Sequence, residues 1–358
     1  MSNKINVFVG MSGGVDSSLT ASLLLDQGYS VTGIYMKNWT QDMPGFACPW
    51  KEDYQDAKRV AVSLGIPFEV FDFEREYKQK VVDYMIDEYK TGRTPNPDIM
   101  CNQEVKFKLF LDTALERGAD FIATGHYARV EKSKTFDGQC ELRTASNKEK
   151  DQTYFLYRIS QEALQKTLFP IGNFIDKKSV RDEARKRGIS TAEKKDSQGI
   201  CFVGKVGIRD FLKQFVESEP GPIVDNNGVV VGTHEGAIFY TIGQRHGLNV
   251  GGGLPYYVSS KDMEANTIYV TTNLDDTNLW TENVKLDDLH WINEKPEAGK
   301  QYQVRMRYRG PIINCTIGIS GNKAVVRLEN QQRGLADGQS AVLYENERVV
   351  GGGIITLV

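Results

Sequence analysis

The stretch Ile5-Asn-Val-Phe-Val-Gly10-Met-Ser-Gly-Gly-Val-Asp16-Ser17-Ser18 decides how the first half of the chain folds. Ile5–Gly10 is a short apolar strand. Val15–Asp26 has helical periodicity through Leu19, Leu23 and Leu24 and stops at Gly28. Gly10-Met11-Ser12-Gly13-Gly14-Val15-Asp16-Ser17 spans the turn between them. A glycine-rich strand-to-helix turn gathers backbone N–H groups at the positive end of a helix and so makes an anion site. Ser12, Ser17 and Ser18 add hydroxyl donors. Asp16 is out of character there, because a carboxylate beside a polyphosphate is repelled unless a cation is held between them. Mg²⁺ suits that role, since it binds through few carboxylates plus phosphate oxygens. The turn lacks the lysine of a P-loop kinase or GTPase and is not G-x-G-x-x-G.

Outward from this turn the alternation continues. Ser30–Met36 and Pro67–Phe73 read as strands, and Glu52–Leu64 as a helix ending at Gly65. Arg75–Lys90 reads as a helix ending at Gly92, Val105–Arg117 as one ending at Gly118, and Asp120–Thr124 as a further strand. This order predicts an α/β domain with a doubly wound parallel sheet, whose ligands sit at the carboxyl ends of its strands. Beyond His126 the pattern is mixed. Tyr127–Glu131 and Glu141–Arg143 predict a hairpin across Asp137-Gly138, and helices follow near Gln161–Thr167 and Lys177–Arg187. From about Pro220, turn residues such as Asn226-Asn-Gly and Gly251-Gly-Gly punctuate short β-rich runs, among them Val229–Gly232 and Thr267–Thr272. Past Thr277, the segments Gln301–Tyr308, Asn314–Ile319, Lys323–Leu328, Ser340–Glu345 and Val349–Val358 predict a small β-barrel. The expected divisions are an α/β domain over 1–205, a small β-rich or α+β module over 206–276 and a C-terminal barrel over 277–358.

Composition narrows the class. At 358 residues the chain is too long for one ordinary domain, and 40% hydrophobic with 25% charged residues is a globular balance. No stretch approaches the roughly 20 apolar residues of a membrane helix, and the N-terminus reads as neither signal nor transit peptide, so a cytoplasmic protein with no membrane partner is expected. The five cysteines (Cys48, Cys101, Cys140, Cys201, Cys315) are odd in number, with no CxxC pair, which argues against a zinc site or a secreted disulfide framework. Net charge is −3, so any contact with phosphates rests on local charge. Lys177, Lys178, Arg181, Arg185, Lys186, Arg187, Lys194 and Lys195 form a locally basic run. Arg305, Arg307 and Arg309 alternate in a strand-like segment and so would share one face.

Two cysteines stand in chemical company. Cys101 follows Thr94-Pro-Asn-Pro-Asp-Ile-Met100, where two prolines predict a shaped loop, and a helix start near Glu104 would favour a thiolate. Cys201 lies in Asp196-Ser-Gln-Gly-Ile-Cys-Phe-Val-Gly204. Beside an adenylating loop they suggest a proposal. Transfer of AMP makes an oxygen a good leaving group, a persulfide supplies sulfur, and a second thiol releases that sulfur as a disulfide forms. Cys48, Cys140 and Cys315 have no comparable setting.

Ser12-Gly-Gly-Val-Asp-Ser17 resembles the signature of the PP-loop ATP pyrophosphatases, which cleave ATP between the α and β phosphates and transfer AMP to a substrate oxygen. Met36 and Gly125 fall where the adenosine would lie. Together with Pro95-Asn-Pro-Asp-Ile-Met-Cys-Asn102, Ala123-Thr-Gly-His-Tyr-Ala128, Lys150-Asp-Gln-Thr-Tyr-Phe-Leu156, Asp196-Ser-Gln-Gly-Ile-Cys-Phe202 and Gly351-Gly-Gly-Ile-Ile355, it is similar to the bacterial tRNA-specific 2-thiouridylase family over essentially the whole chain. The resemblance implies that Gly10, Met11, Ser12, Gly13, Gly14, Val15, Asp16, Ser17, Met36 and Gly125 bind ATP, with Mg²⁺. It implies that Asn96, Pro97 and Asp98 meet the target base, and that Asp98 can serve as acid, base or hydrogen-bond partner of the uracil. His126, Asp151, Gln152, Thr153, Tyr308, Arg309 and Gln339 would contact tRNA. Cys201 would carry the persulfide and Cys101 would be the nucleophile, the two forming an alternating disulfide. The target would be the wobble uridine of lysine, glutamate and glutamine tRNAs, with sulfur from a cysteine desulfurase or a relay protein. No metal site made by the protein alone is expected. Two other readings compete: a PP-loop amidotransferase or ligase using a nitrogen nucleophile, and a non-catalytic RNA-binding module with a vestigial nucleotide site.

Overall fold

The computed structural model describes residues 4–42, 48–195, 207–248, 250–251, 253 and 255–357. The first part runs β1 (Asn6–Gly10), α1 (Val15–Asp26), β2 (Ser30–Lys37), α2 (Trp50–Leu64) and β3 (Phe68–Asp72). It continues through α3 (Glu74–Tyr77), α4 (Tyr84–Lys90), α5 (Pro97–Met100), α6 (Phe110–Glu116), β4 (Phe121–Ala123), β5 (Ala128–Lys132) and β6 (Cys140–Thr144). It closes with α7 (Gln161–Gln165), β7 (Thr167–Leu168) and α8 (Lys177–Lys186). β3-β2-β1-β4-β7 form one parallel sheet, with Val7 paired to Val31 on one side and to Phe121 on the other.

β1 is the middle strand, and its apolar run is what a strand covered on both faces requires. Val7 and Val9 enter one core with α1, α2 and α8, whereas Phe8 enters the opposite core with Val81, Met85, Val105 and Phe110. Helices therefore cover both faces, as predicted. The strand order reverses at β1, so the β1 and β4 tips form the switch point where a ligand site is expected.

The helices on the second face differ from expectation. Lys78–Asp83 and Cys101–Leu109 are π-helical stretches that join α3 to α4 and α5 to α6. The Pro95–Cys101 segment, expected as a loop, is already helical from Pro97. Asn96 is the N-cap, and its side chain accepts from the Ile99 N–H at 3.4 Å. Proline is excluded from helix interiors but suits the first position, where no N–H is needed.

α9 (Ile208–Leu212) leads to a second sheet of β8 (Gly221–Asp225), β9 (Val230–His234), β10 (Tyr257–Asp262) and β11 (Thr267–Thr271), ordered β10-β11-β8-β9. The third sheet comprises β12 (Trp280–Trp291), β13 (Tyr302–Arg305), β14 (Ile313–Ser320), β15 (Lys323–Arg333), β16 (Ser340–Glu345) and β17 (Arg348–Thr356). These six strands close into a barrel through the β12–β17 pairing. The β5–β6 hairpin of the first part adds to the outside of β17, where Arg348 pairs with Arg143. The longest strand, β12, escaped the sequence pattern, because only Val284 and Leu286 in it are fully buried between polar neighbours. No helix among the described residues is long and apolar enough to cross a membrane.

Candidate active site

The turn between β1 and α1 carries its own scaffolding. The Ser17 hydroxyl donates to the Gly14 carbonyl at 3.2 Å and accepts from the Ser12 N–H at 3.1 Å. Ser18 also donates to the Gly14 carbonyl, at 2.8 Å. These bonds span the first turn of α1 and hold the N–H groups of the turn together at the helix end. The tip of β4 closes on the same point. A Cβ at Gly125 would lie 2.7 Å from the Ser17 nitrogen and 2.8 Å from the Asp16 carbonyl carbon, so only glycine lets the two segments touch.

Asp16 points into a charged cluster. Its carboxylate accepts from Lys177 Nζ at 2.9 and 2.8 Å and from the Tyr127 hydroxyl at 2.9 Å. Lys177 is at the start of α8 and, with Tyr127, was not singled out as a site residue from the sequence. Nothing in the local pattern marks either as a partner of a residue more than 100 positions away. A lysine ammonium thus stands beside Asp16. The rest of the basic run is largely neutralised: Lys178 pairs with Asp182, Arg187 with Glu183 and Asp26, and Lys194 with Asp53 and Asp56. It forms a largely exposed set of ion pairs around α8.

Cys101 is buried, with 1% of its surface exposed. The helix that carries it starts at Pro97 instead of near Glu104, so Cys101 lies beyond the first turn, where the dipole has largely faded. Asp98, in that first turn, receives the helix-end field instead. The same continuous helix passes the nucleotide turn. A Cβ on Gly10 would meet Phe110 Cε1 at 3.6 Å and Met36 Cε at 2.9 Å, and the Phe107 ring lies 5.7 Å from that of His126. The helix that carries Cys101 therefore packs, through Phe107 and Phe110, at the tips of β1 and β4.

The approach to this helix is clamped by the other two modules. The Thr94 N–H donates to the Asp337 carbonyl at 2.7 Å, and Gln339 Nε2 donates to the Thr94 carbonyl at 2.7 Å. The Thr94 hydroxyl meets that of Thr241 at 3.2 Å. Gly338, with φ of +86°, packs so closely that an added Cβ would sit 2.9 Å from the Thr94 nitrogen.

The chain matches family models over nearly its whole length. That described as "tRNA methyl transferase HUP domain" covers residues 5–205, "tRNA methyl transferase PRC-barrel domain" 209–272 and "Aminomethyltransferase beta-barrel domain" 281–355. The "tRNA-specific 2-thiouridylase MnmA" of Streptococcus sanguinis is 45% identical, covering 99% of this chain and 95% of its own. That of Methylobacillus flagellatus is 46% identical, covering 99% of both chains. "tRNA-specific 2-thiouridylase MnmA 2" of Geobacillus kaustophilus is 44% identical over 99% of this chain and 95% of its own. The chain belongs to the tRNA-specific 2-thiouridylase family.

The residues that this family resemblance singled out fall into two groups. Asn96, Asp98, Gln152, Tyr308, Gln339 and the exposed Arg309 keep accessible surface. Tyr308 is in the turn after β13, not in a strand. Its ring lies 4.4 Å from that of Phe155 and 5.2 Å from the Arg309 guanidinium. The Phe155 carbonyl in turn accepts from Asn102, the neighbour of Cys101, at 3.1 Å.

The second group is buried. Thr153 is 0% exposed, and Asp151, 2% exposed, accepts from the Ala145 N–H at 3.0 Å and the Thr153 hydroxyl at 2.9 Å. Arg305 pairs with Asp151 at 3.3 Å. The three arginines expected on one strand face therefore separate: Arg305 turns inward, and Arg307 and Arg309 lie past the strand end, where Arg309 has φ of +59°. His126 is also buried, with Nδ1 2.7 Å from the Thr124 hydroxyl. Burial holds its pKa well below the ordinary range, with the charge of Lys106 adding to the effect. Cys201 lies outside the described residues.

Proposed function

We propose that this chain is a tRNA-uridine 2-sulfurtransferase that acts on the wobble uridine of lysine, glutamate and glutamine tRNAs. The observation that supports the proposal is the packing of the helix that carries Cys101, through Phe107 and Phe110, at the β1 and β4 tips beside the phosphate turn. This is consistent with a thiol-bearing element near the edge where an adenylate would form. Full-length similarity to curated 2-thiouridylases supports the same reading. The divisions 1–205, 206–276 and 277–358 serve respectively as chemical, central tRNA-contacting and barrel modules.

ATP binds over the β1 and β4 tips, with residues 10–17, Met36 and Gly125 around it. The uridine C2 oxygen attacks the α-phosphorus, and pyrophosphate leaves. The terminal sulfur of a Cys201 persulfide then attacks C2 and displaces AMP. The Cys101 thiolate attacks the inner sulfur of the resulting C2–S–S–Cys201 linkage. That breaks the S–S bond, leaves 2-thiouridine and forms the Cys101–Cys201 disulfide. A thiol reductant restores both cysteines, and a cysteine desulfurase or relay protein reloads Cys201. Asn96, Pro97 and Asp98 hold the base by its edge, and Asp98 manages the N3 proton. Tyr308, Arg309 and Gln339 meet the RNA. Buried Asp151 and Thr153 shape the wall beside it, with Gln152 and His126.

Mg²⁺ fits a metal that arrives on ATP. Asp16 is the one carboxylate of the turn, and its oxygens already serve Lys177 and Tyr127. Among the described residues no group of three or more His, Cys, Asp or Glu side chains could hold a metal. Asp16 would be its protein ligand, and the metal would neutralise phosphate charge.

The test is mass spectrometry of nucleosides from tRNA incubated with the protein, ATP, Mg²⁺ and a persulfide donor. Formation of 2-thiouridine with stoichiometric AMP and pyrophosphate is expected. Release of pyrophosphate without thiolation would favour a nitrogen nucleophile.

A further inference from the structure

One cleft among the described residues lies away from the phosphate turn. It is an open groove of about 740 Å³ between the central module and the barrel. Its wall includes Gln244 and Tyr257 from the central module, and Trp280, Arg307, Arg333 and Gln339 from the barrel side.

Three observations bear on its occupant. The first is charge. No Asp or Glu lines the groove, and no carboxylate among the described residues lies within ion-pair distance of Arg307 or Arg333, both exposed. Much of the basic run around α8 is paired with carboxylates, as Lys178, Arg187 and Lys194 are, whereas these two arginines meet none among the described residues. The second is a fixed aromatic platform. The Trp280 ring, 37% exposed, is anchored by its Nε1–H to the Leu274 carbonyl at 2.7 Å. The Arg333 guanidinium lies 5.5 Å from the Tyr257 ring and 5.9 Å from the Trp280 ring. The third is continuity. Gln339 lines the groove and also donates to the Thr94 carbonyl, two residues before Asn96, so the groove leads to the base-proximal segment.

We infer that this groove is a second RNA subsite, which receives an unpaired nucleotide of the same tRNA other than the target uridine. It rests on tRNA being the substrate. Unpaired bases stack on aromatic rings and on arginine planes, tolerate many base identities there and bring a phosphate that needs an unmatched cation. Trp280, Tyr257 and Arg333 supply the stacking surface and Arg307 the charge. The central module and barrel then grip the RNA jointly, as they jointly grip Thr94.

The experiment compares the full-length parent with Trp280→Ala, Trp280→Phe and Arg333→Ala, measuring Kd for tRNA at fixed salt and thiolation of the same tRNA. Trp280→Ala should weaken binding about 5- to 150-fold, the range that losing one base–aromatic stack gives, and Trp280→Phe should recover most of it. Arg333→Ala should weaken it comparably. In parallel, the parent is cross-linked by ultraviolet light to tRNA carrying 5-bromouridine at single anticodon-loop positions. A cross-linked peptide containing Tyr257 or Trp280 is expected. This arm needs no variant to fold. A parent that thiolates tRNA, with both alanine variants binding normally and no cross-link at these residues, overturns the inference alone. A parent that neither binds nor thiolates tRNA overturns the proposed function.

Discussion

The phosphate turn and the segment that leads to Cys101 belong to one module but are held in different ways. In the turn, Ser12 bonds to Ser17, and Ser17 and Ser18 bond to the Gly14 carbonyl, all within five residues, although the Ser18 hydroxyl also accepts from Thr191. In the cysteine segment, Thr94 is held by Thr241, Asp337 and Gln339, between 147 and 245 positions away. The serine bonds of the turn are thus mostly local, with Lys177, Tyr127 and Thr191 added from afar, whereas the approach to Cys101 depends on two docked modules. Damage to the barrel should then disable thiolation while leaving ATP binding in place.

The sharpest break of that contrast is Cys101→Ser, which should abolish 2-thiouridine formation in nucleoside mass spectrometry and leave ATP affinity intact. Parent-level thiolation would mean that the sulfur half has been misplaced. Next is Gly338→Val. The added side chain meets Thr94 at a left-handed φ, so the segment before Asn96 must shift. A misplacement near 1 Å can cost on the order of a hundredfold in rate. Thiolation should fall about that much, with ATP affinity within roughly threefold of the parent. Equal losses in both would refute the division.

A smaller effect tests the local half. Asp16→Asn and Lys177→Met should each weaken ATP-dependent pyrophosphate release about tenfold. Together they should cost less than the sum, because the partly buried pair shares one interaction of roughly 1 kcal/mol. Strict additivity in that cycle would show the pair to be incidental. Arg309→Ala should lower tRNA affinity a few-fold and reduce the salt slope of binding by about one unit, as loss of one phosphate contact does; an unchanged slope would remove Arg309 from the RNA face.

The smallest effect concerns His126. Its folded pKa lies below the ordinary value near 6.5, so its contribution to stability is complete above that pH and is lost as pH falls below it. His126→Gln should flatten the decline of thermal stability between about pH 6.5 and 5. A decline as steep as the parent's would assign it to other groups.

Much of this arrangement was legible in advance. Continuous apolar runs such as Val7–Val9, separated by glycine-terminated helices, specify a covered parallel sheet by pattern alone. The phosphate turn is legible because its serine–backbone bonds join near neighbours. Pro97 was misread as loop, since proline forbids a helix interior but favours a first turn. β12 was missed because a barrel strand with a wet face shows few apolar residues.

By itself, then, the amino-acid order determined what short-range physics controls: the strand–turn–helix that cradles an anion, the sheet it belongs to and the thiols available for sulfur chemistry. Only the tertiary structure decided which distant side chains complete those elements. Lys177 beside Asp16 arises from packing within the α/β module, and the barrel loop gripping Thr94, Arg305 turned onto Asp151 and the two arginines of the groove from packing between modules. Such contacts join residues through space at the distance of a hydrogen bond, and no periodicity along the chain encodes that distance.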